Sequence, residues 1–291
     1  MSITAEEIAT QPECWQRAAA LAPSAVLPAP GERVAVVGCG TSWFMAQSYA
    51  ALRERVAGQG VTDAFAASEF PYGRDYDRIV AITRSGTTTE VLELLRRVRG
   101  ATRTTAVIGD PHTPITGIAD DLVVLDFADE KSVVQTRFAT SVLALLRAHL
   151  GQDIAPAVAD ARRAIGEELP EALLRAEQFS FLGTGWAYGI ALEAALKMRE
   201  AACAWTEAYP SMEYRHGPIS ITGPGRVAWA FGGLPEGLAA DIARTGGVLE
   251  AGRLDPLADL VRVQRLAVAI AQARGLDPDS PRNLTRSVVL P

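Results

Sequence analysis

A short apolar run, Arg33–Val37, ends abruptly in Gly38-Cys39-Gly40-Thr41-Ser42, and a stretch of helical character, Trp43–Arg55, follows it. The same succession returns at Ile79–Thr83, which runs into Arg84-Ser85-Gly86-Thr87-Thr88-Thr89 and then a helix over Glu90–Arg99. Asp63–Ala67, Thr105–Ile108 and Leu122–Leu125 supply three more short strands, and a helix over Thr136–Leu150 closes the set. Short, continuously apolar strands alternating with helices fold as a parallel sheet covered on both faces. The pattern then restarts. Phe179–Leu182 leads into Gly183-Thr184-Gly185-Trp186 and a long helix. Strands at Arg226–Phe231 and Gly247–Ala251 follow, with helices near Pro235–Thr245 and Leu257–Arg274. The expected fold is α/β, with two related, doubly wound parallel-sheet lobes produced by internal duplication.

The boundaries expected from this pattern are a first lobe over 33–152, a polar, alanine-rich connecting helix over 153–176 and a second lobe over 177–291. Residues 1–32 read as a helix, Glu6 to Leu21, and a connector through Pro23, Pro28 and Pro30. Thr4 with Glu7 has the spacing of a capping box at the start of that helix. A chain of 291 residues, 48% hydrophobic, can bury the cores of both lobes.

The net charge of −6 and the lack of a long basic run speak against nucleic acid as a partner. Cys14, Cys39 and Cys203 share no metal-like spacing and suit a reduced, cytoplasmic protein. His112, His149 and His216 are scattered, so no histidine-built metal site is expected, and no cofactor is implied. No segment reads as a signal peptide or a membrane span.

Two features carry chemistry. The first is the pair of hydroxyl-rich turns, with Gly40, Thr41 and Ser42 in one and Thr83, Arg84, Ser85, Thr87, Thr88 and Thr89 in the other. Each joins a strand to a helix at the carboxyl edge of a parallel sheet, where open α/β sheets bind ligands. Helix N-termini offer N–H donors and partial positive charge, and glycine lets an anion approach, so the turns read as a phosphate cradle. A dinucleotide fits less well, because Trp43 stands where the third glycine would be, and neither turn holds a Walker lysine. The second feature is Lys197, one of only two lysines with Lys131 in an arginine-rich chain. On a helix, Glu193, Lys197 and Glu200 share one face of an otherwise apolar stretch, Ile190–Ala202. A helix buried on most sides rarely carries three charges without a use.

Gly38-Cys39-Gly40-Thr41-Ser42 and Thr83-Arg84-Ser85-Gly86-Thr87-Thr88 resemble the sugar-isomerase (SIS) family. Ala191-Leu192-Glu193-Ala194-Ala195-Leu196-Lys197-Met198-Arg199-Glu200, Glu207-Ala208-Tyr209, Glu213-Tyr214-Arg215-His216-Gly217-Pro218 and the tail Pro281-Arg282-Asn283-Leu284 resemble the isomerase half of glucosamine-6-phosphate synthase. The resemblance covers residues 33–291. It implies tandem SIS lobes of flavodoxin-like, three-layer αβα form and a sugar-phosphate ligand. By that resemblance Ser42, Thr83, Ser85 and Thr88, with Arg84 among them, hold the phosphate. Gly40, Thr41, Val133, Thr136 and Arg286 line the sugar. Glu200 moves a proton between C1 and C2, and Lys197 sits beside it. His216 assists ring opening, arriving from the neighbouring subunit of a homodimer.

These roles are chemically coherent. Aldose–ketose conversion needs a carboxylate base, an ammonium to steady the developing enediolate and a group that exchanges protons near neutral pH. Two departures from the synthase stand out. Arg84 replaces an uncharged residue, and Arg286 takes the place of the lysine that forms a Schiff base, a bond a guanidinium does not make in the usual way. The expected function is a phosphosugar enzyme, either an aldose–ketose isomerase or an aminosugar-phosphate deaminase or deglycase working through an enediol or enediolamine. A non-catalytic phosphosugar sensor, or a binder of another anionic metabolite, remains open at this level.

Overall fold

The computed structural model describes residues 2–290. The N-terminal stretch forms two helices, α1 (Ile3–Ala9) and α2 (Gln11–Leu21), where a single helix over Glu6–Leu21 is expected. Pro12 explains the break, since it has no N–H for the Ile8 carbonyl and its ring would crowd that oxygen. The Gln11 side chain bonds the Ile8 carbonyl instead, at 3.2 Å. The expected capping box also differs. Ser2 is the N-cap, its Oγ accepting from Ala5 N–H at 3.2 Å, while the Thr4 hydroxyl donates to Asp279 Oδ1 at 2.7 Å.

The first sheet is built from β1 (Val34–Gly38), β2 (Thr62–Ala66), β3 (Arg78–Thr83), β4 (Arg103–Ile108) and β5 (Asp121–Val124) in the order β2-β1-β3-β4-β5, every pair parallel. Its helices are α3 (Thr41–Arg53), α4 (Thr89–Val98) and α5 (Arg137–His149). Every residue of β1 and β3 is buried, so both faces of the sheet are covered, because successive side chains point to opposite faces. Ile79, Ala81, Leu94, Leu95, Ala106 and Ile108 form the core on one side. Trp15 is wholly buried and donates from its ring N–H to Thr140 Oγ1 at 2.9 Å, which fixes α2 on α5.

Further along the chain come α6 (Ala155–Gly166) and α7 (Glu171–Leu174), where one connecting helix over 153–176 is expected. Pro170 starts the second of them. The second sheet holds β6 (Gln178–Gly183), β7 (Trp205–Pro210), β8 (Arg226–Phe231) and β9 (Val248–Ala251), ordered β7-β6-β8-β9 and again all parallel. Its helices are α8 (Ala187–Ala202), α9 (Leu238–Arg244) and α10 (Pro256–Ala273). Strand β7 is absent from the sequence reading. It is an edge strand whose residues Trp, Thr, Glu, Ala, Tyr and Pro lack the continuous apolar run of the central strands.

The chain divides into two compact units, each discontinuous in sequence: Glu13–Ile154 with the residues from Thr285 on, and the residues up to Pro12 with Ala155–Leu284. The last residues of the chain therefore pack with the five-stranded sheet. Among the described residues no helix is long and apolar enough to cross a membrane.

Candidate active site

Helix α8 carries the charged set. It is alanine-rich, which favours helix, and buries Ile190, Ala191, Ala194, Ala195 and Met198. It ends at Cys203, which adopts the left-handed conformation (φ 50°) and returns its N–H to the Arg199 carbonyl at 3.1 Å. Thr206 of β7 donates to the Ala195 carbonyl at 2.8 Å, and Arg199 donates to the Thr206 carbonyl at 3.2 Å. These bonds hold the helix rigidly against its sheet. Lys197 is 1% exposed. Its Nζ lies 3.5 Å from Glu193 Oε1 and donates to Glu200 Oε2. Glu193 is equally buried, but the Glu200 side chain keeps 18% exposure. Glu200 opens onto a cavity of about 210 Å³ bordered by Cys203, Asp277, Ser280 and Arg282. A buried ammonium thus grips a carboxylate whose face remains accessible.

In the other unit, the turn after β3 runs over buried Thr83, Arg84 and Ser85 to Gly86. Gly86 needs to be glycine: its φ is +61°, and a Cβ there would lie 2.1 Å from Thr113 Oγ1. The Ser85 hydroxyl accepts from the Thr87 N–H at 3.3 Å and from the Thr87 hydroxyl at 3.0 Å. Thr88 is the N-cap of α4, and its side chain makes no capping bond. In the turn after β1, Gly40 (φ 53°) is the N-cap of α3, and Thr41 and Ser42 lie buried in the first turn. A Cβ at Gly38 would come within 2.7 Å of the Ser42 backbone, so the strand and helix can approach this closely only with glycine there. Burial, reinforced by the Glu90 carboxylate, pushes the Cys39 thiol up to about 11, so this turn carries no thiolate to oppose an anion at neutral pH.

Arg84 points away from solvent. It is 3% exposed and donates to the carbonyls of Ser132 (3.2 Å), Val133 (3.4 Å) and Arg286 (3.0 Å). Glu130, 1% exposed, lies 3.5 Å from it. The Glu130 carboxylate in turn accepts from Thr136 N–H (2.5 Å), the Thr136 hydroxyl (2.7 Å) and Arg137 N–H (2.8 Å), capping the N-terminus of α5. Arg286 pairs with Asp129 Oδ1 at 2.6 Å.

The structure therefore brings together Lys197 with Glu200, and Arg84 with Val133 and Arg286. Thr136 is drawn into the Glu130 cap. His216 lies in the exposed turn after β7, where its N–H returns to the Glu213 carbonyl at 2.9 Å. It does not border the cavity beside Glu200. Asp129 and Glu130 escape the sequence reading because Asp129-Glu130-Lys131 looks like an ordinary solvated charge run. The only available signal is the offset of Glu130 from the start of α5, the helix it caps.

No family model matches the chain. In sequence it is similar to the glutamine–fructose-6-phosphate aminotransferase (isomerizing) of Methanothermobacter thermautotrophicus, 28% identical over 308 aligned residues that cover 89% of this chain and 52% of that protein. The protein of the same name from Pyrobaculum aerophilum is also 28% identical, over 98% of this chain and 57% of the relative. The chain spans about half the length of the curated relatives it matches. Its structure is similar to the glucosamine-6-phosphate deaminase of Thermotoga maritima, with a TM-score of 0.84, 25% identity and coverage of 99% of this chain and 100% of that one. The tagatose-6-phosphate ketose/aldose isomerase of Escherichia coli shares the fold, with a TM-score of 0.80 at 18% identity over 100% of this chain and 96% of that one. The resemblance carried by the motifs is thus shown: the chain's homologues are the isomerase (SIS) part of the aminotransferases, and its structural neighbours include phosphosugar isomerases and a deaminase.

Proposed function

We propose that the chain is an enzyme that binds a sugar phosphate and moves a proton between C1 and C2 of its open-chain form. The reaction is aldose–ketose isomerisation, or removal of the amino group from an amino-substituted sugar phosphate. The carrying observation is the Lys197–Glu200 pair, a fully buried ammonium holding a carboxylate that reaches a cavity. Glu200 takes the proton from one carbon and returns it to its neighbour. Lys197 keeps the carboxylate oriented and stabilises the enediolate oxygen as charge develops there. His216, exposed on its turn, serves ring opening from the neighbouring subunit of a homodimer. We read the two units as related SIS lobes of flavodoxin-like form. Ser42, Thr83, Ser85 and Thr88 are the proposed phosphate-binding residues.

Two expected ligand contacts take other roles in this proposal. Arg84 positions the segment Ser132–Val133 and the tail, because its guanidinium is already committed to their carbonyls. Thr136 shapes the site through the Glu130 cap. With arginine at 286, the chemistry runs without a Schiff base to the tail. The same substitution favours the second reading, a sugar-phosphate sensor without turnover.

The test is incubation with a panel of hexose and amino-hexose 6-phosphates in deuterated water. Deuterium is expected at C1 or C2 of at least one substrate, and none with Glu200→Gln. A wild-type protein that binds a sugar phosphate without exchange establishes the sensor reading instead.

A further inference from the structure

The two arginines that depart from the synthase pattern, Arg84 and Arg286, meet in the structure. The Arg84 guanidinium donates to the Arg286 carbonyl at 3.0 Å, and each arginine pairs with one of two adjacent carboxylates, Glu130 and Asp129. The residues after Arg286 then run along the hydroxyl-rich turn. Ser287 Oγ lies 2.9 Å from Thr87 Oγ1. The Thr89 N–H, at the N-terminal end of α4, donates to the Val288 carbonyl at 3.2 Å. The Leu290 N–H donates to Thr89 Oγ1 at 2.9 Å. Apolar packing contributes little to this attachment, for Val288, Val289 and Leu290 are 51%, 66% and 54% exposed. The tail is thus held by a short series of polar contacts, all on the turn or on the carboxylate pair beside it.

We propose that Asp129–Arg286 is a latch, seated on the buried Glu130–Arg84 pair, that fastens the C-terminal tail across the turn 83–89 and sets how long a sugar phosphate stays there. This rests on the reading that the turn takes the phosphate. It makes Asp129, Glu130, Arg84 and Arg286 positioning residues, and it takes Arg286 out of direct contact with the sugar. The physical reason is the division of labour between the pairs. Glu130–Arg84 is buried, and Glu130 caps α5, so this pair resists opening. Asp129–Arg286 is about one-third exposed on both sides and can open while the rest of the site stays folded.

The test compares wild type, Asp129→Asn, Arg286→Gln, Asp129→Arg, Arg286→Asp and the charge-swapped double variant Asp129→Arg/Arg286→Asp. Amide hydrogen exchange of the tail and of Thr89 is measured, together with fructose 6-phosphate association and dissociation rates. Each single variant is expected to exchange about 10-fold faster at these amides and to release fructose 6-phosphate about 10-fold faster, with association little changed. The swapped pair should return both rates to within about threefold of wild type, a rescue that a merely structural role would not give. Unchanged tail exchange in the single variants, or a swap no better than its parents, overturns the latch. If wild type binds no fructose 6-phosphate while tail exchange responds as expected, the phosphate reading fails and the residence-time claim falls with it. Normal binding with an unresponsive tail sinks the latch alone.

Discussion

Two of the buried cation–carboxylate clusters, around Arg84 and around Lys197, are built to opposite ends. Around Arg84, the planar guanidinium is shared among three carbonyls and Glu130, and the Glu130 carboxylate also caps a helix. Arg84 and Glu130 are 3% and 1% exposed, so the cluster can hold segments in place but offers almost no surface to a ligand. Around Lys197, a compact ammonium sits between two carboxylates, each one helical turn from it, and one of these, Glu200, borders a cavity. Arginine's fork suits fixed, multiply bonded structure, whereas a lysine point charge leaves its partner's remaining lone pairs available. The contrast fits a structural role for the Arg84 cluster and the chemical role proposed for the Lys197 cluster.

The largest expected effect tests the chemical side. Glu200→Gln should lower kcat by about 10²–10⁴-fold, the usual range for a general base, while the urea midpoint stays near that of wild type. A variant that keeps full turnover would erase the contrast. Next come the two cations. Lys197→Met leaves Glu193 buried without its ammonium and should cost about 3–5 kcal/mol in urea unfolding. Arg84→Met should cost less, about 3 kcal/mol, because Glu130 keeps the three donors at the start of α5. Equal losses at both positions would show that the cap does not compensate, and the Arg84 cluster would then need another account.

How much of this could be read from the chain follows the same physics. Central strands such as Val34–Gly38 and Arg78–Thr83 announce themselves, because burial on both faces forces a continuous apolar run. The edge strand Trp205–Pro210 does not, since half-exposed positions accept polar residues. Glu193, Lys197 and Glu200 are legible because helical spacing alone puts them together. Glu130 with Arg84, and Asp129 with Arg286, are not. Those partners are separated by 46 and 157 residues and are joined only by the tertiary fold. The tail illustrates the limit well. Its motif resembles the tail of the synthase, yet nothing in Pro281-Arg282-Asn283-Leu284 says that the following residues attach to the turn after β3.

The smallest effect comes from a third carboxylate, Asp279, which calibrates the other two because it is only half-buried and its carboxylate is taken up by the start of α1. Burial pushes its carboxyl upward, but the Thr4 and Ile3 N–H groups and the Thr4 hydroxyl outweigh that and hold it below the usual carboxylate range. Asp279 thereby caps α1 across 275 residues of sequence, at 2.7 Å from Thr4 N. A carboxyl lowered in the folded state binds fewer protons there than in the unfolded chain. Its stabilisation is therefore complete above the unfolded value, and fades as pH drops below about 4 through the lowered folded value. Asp279→Asn should cost about 1 kcal/mol at neutral pH, a typical cap loss, and should lose correspondingly less between neutral pH and about pH 3 than wild type does. Urea unfolding at the two pH values reads both numbers. A cost at neutral pH as large as that of Lys197→Met would mean that burial is not what separates the structural clusters from an ordinary cap.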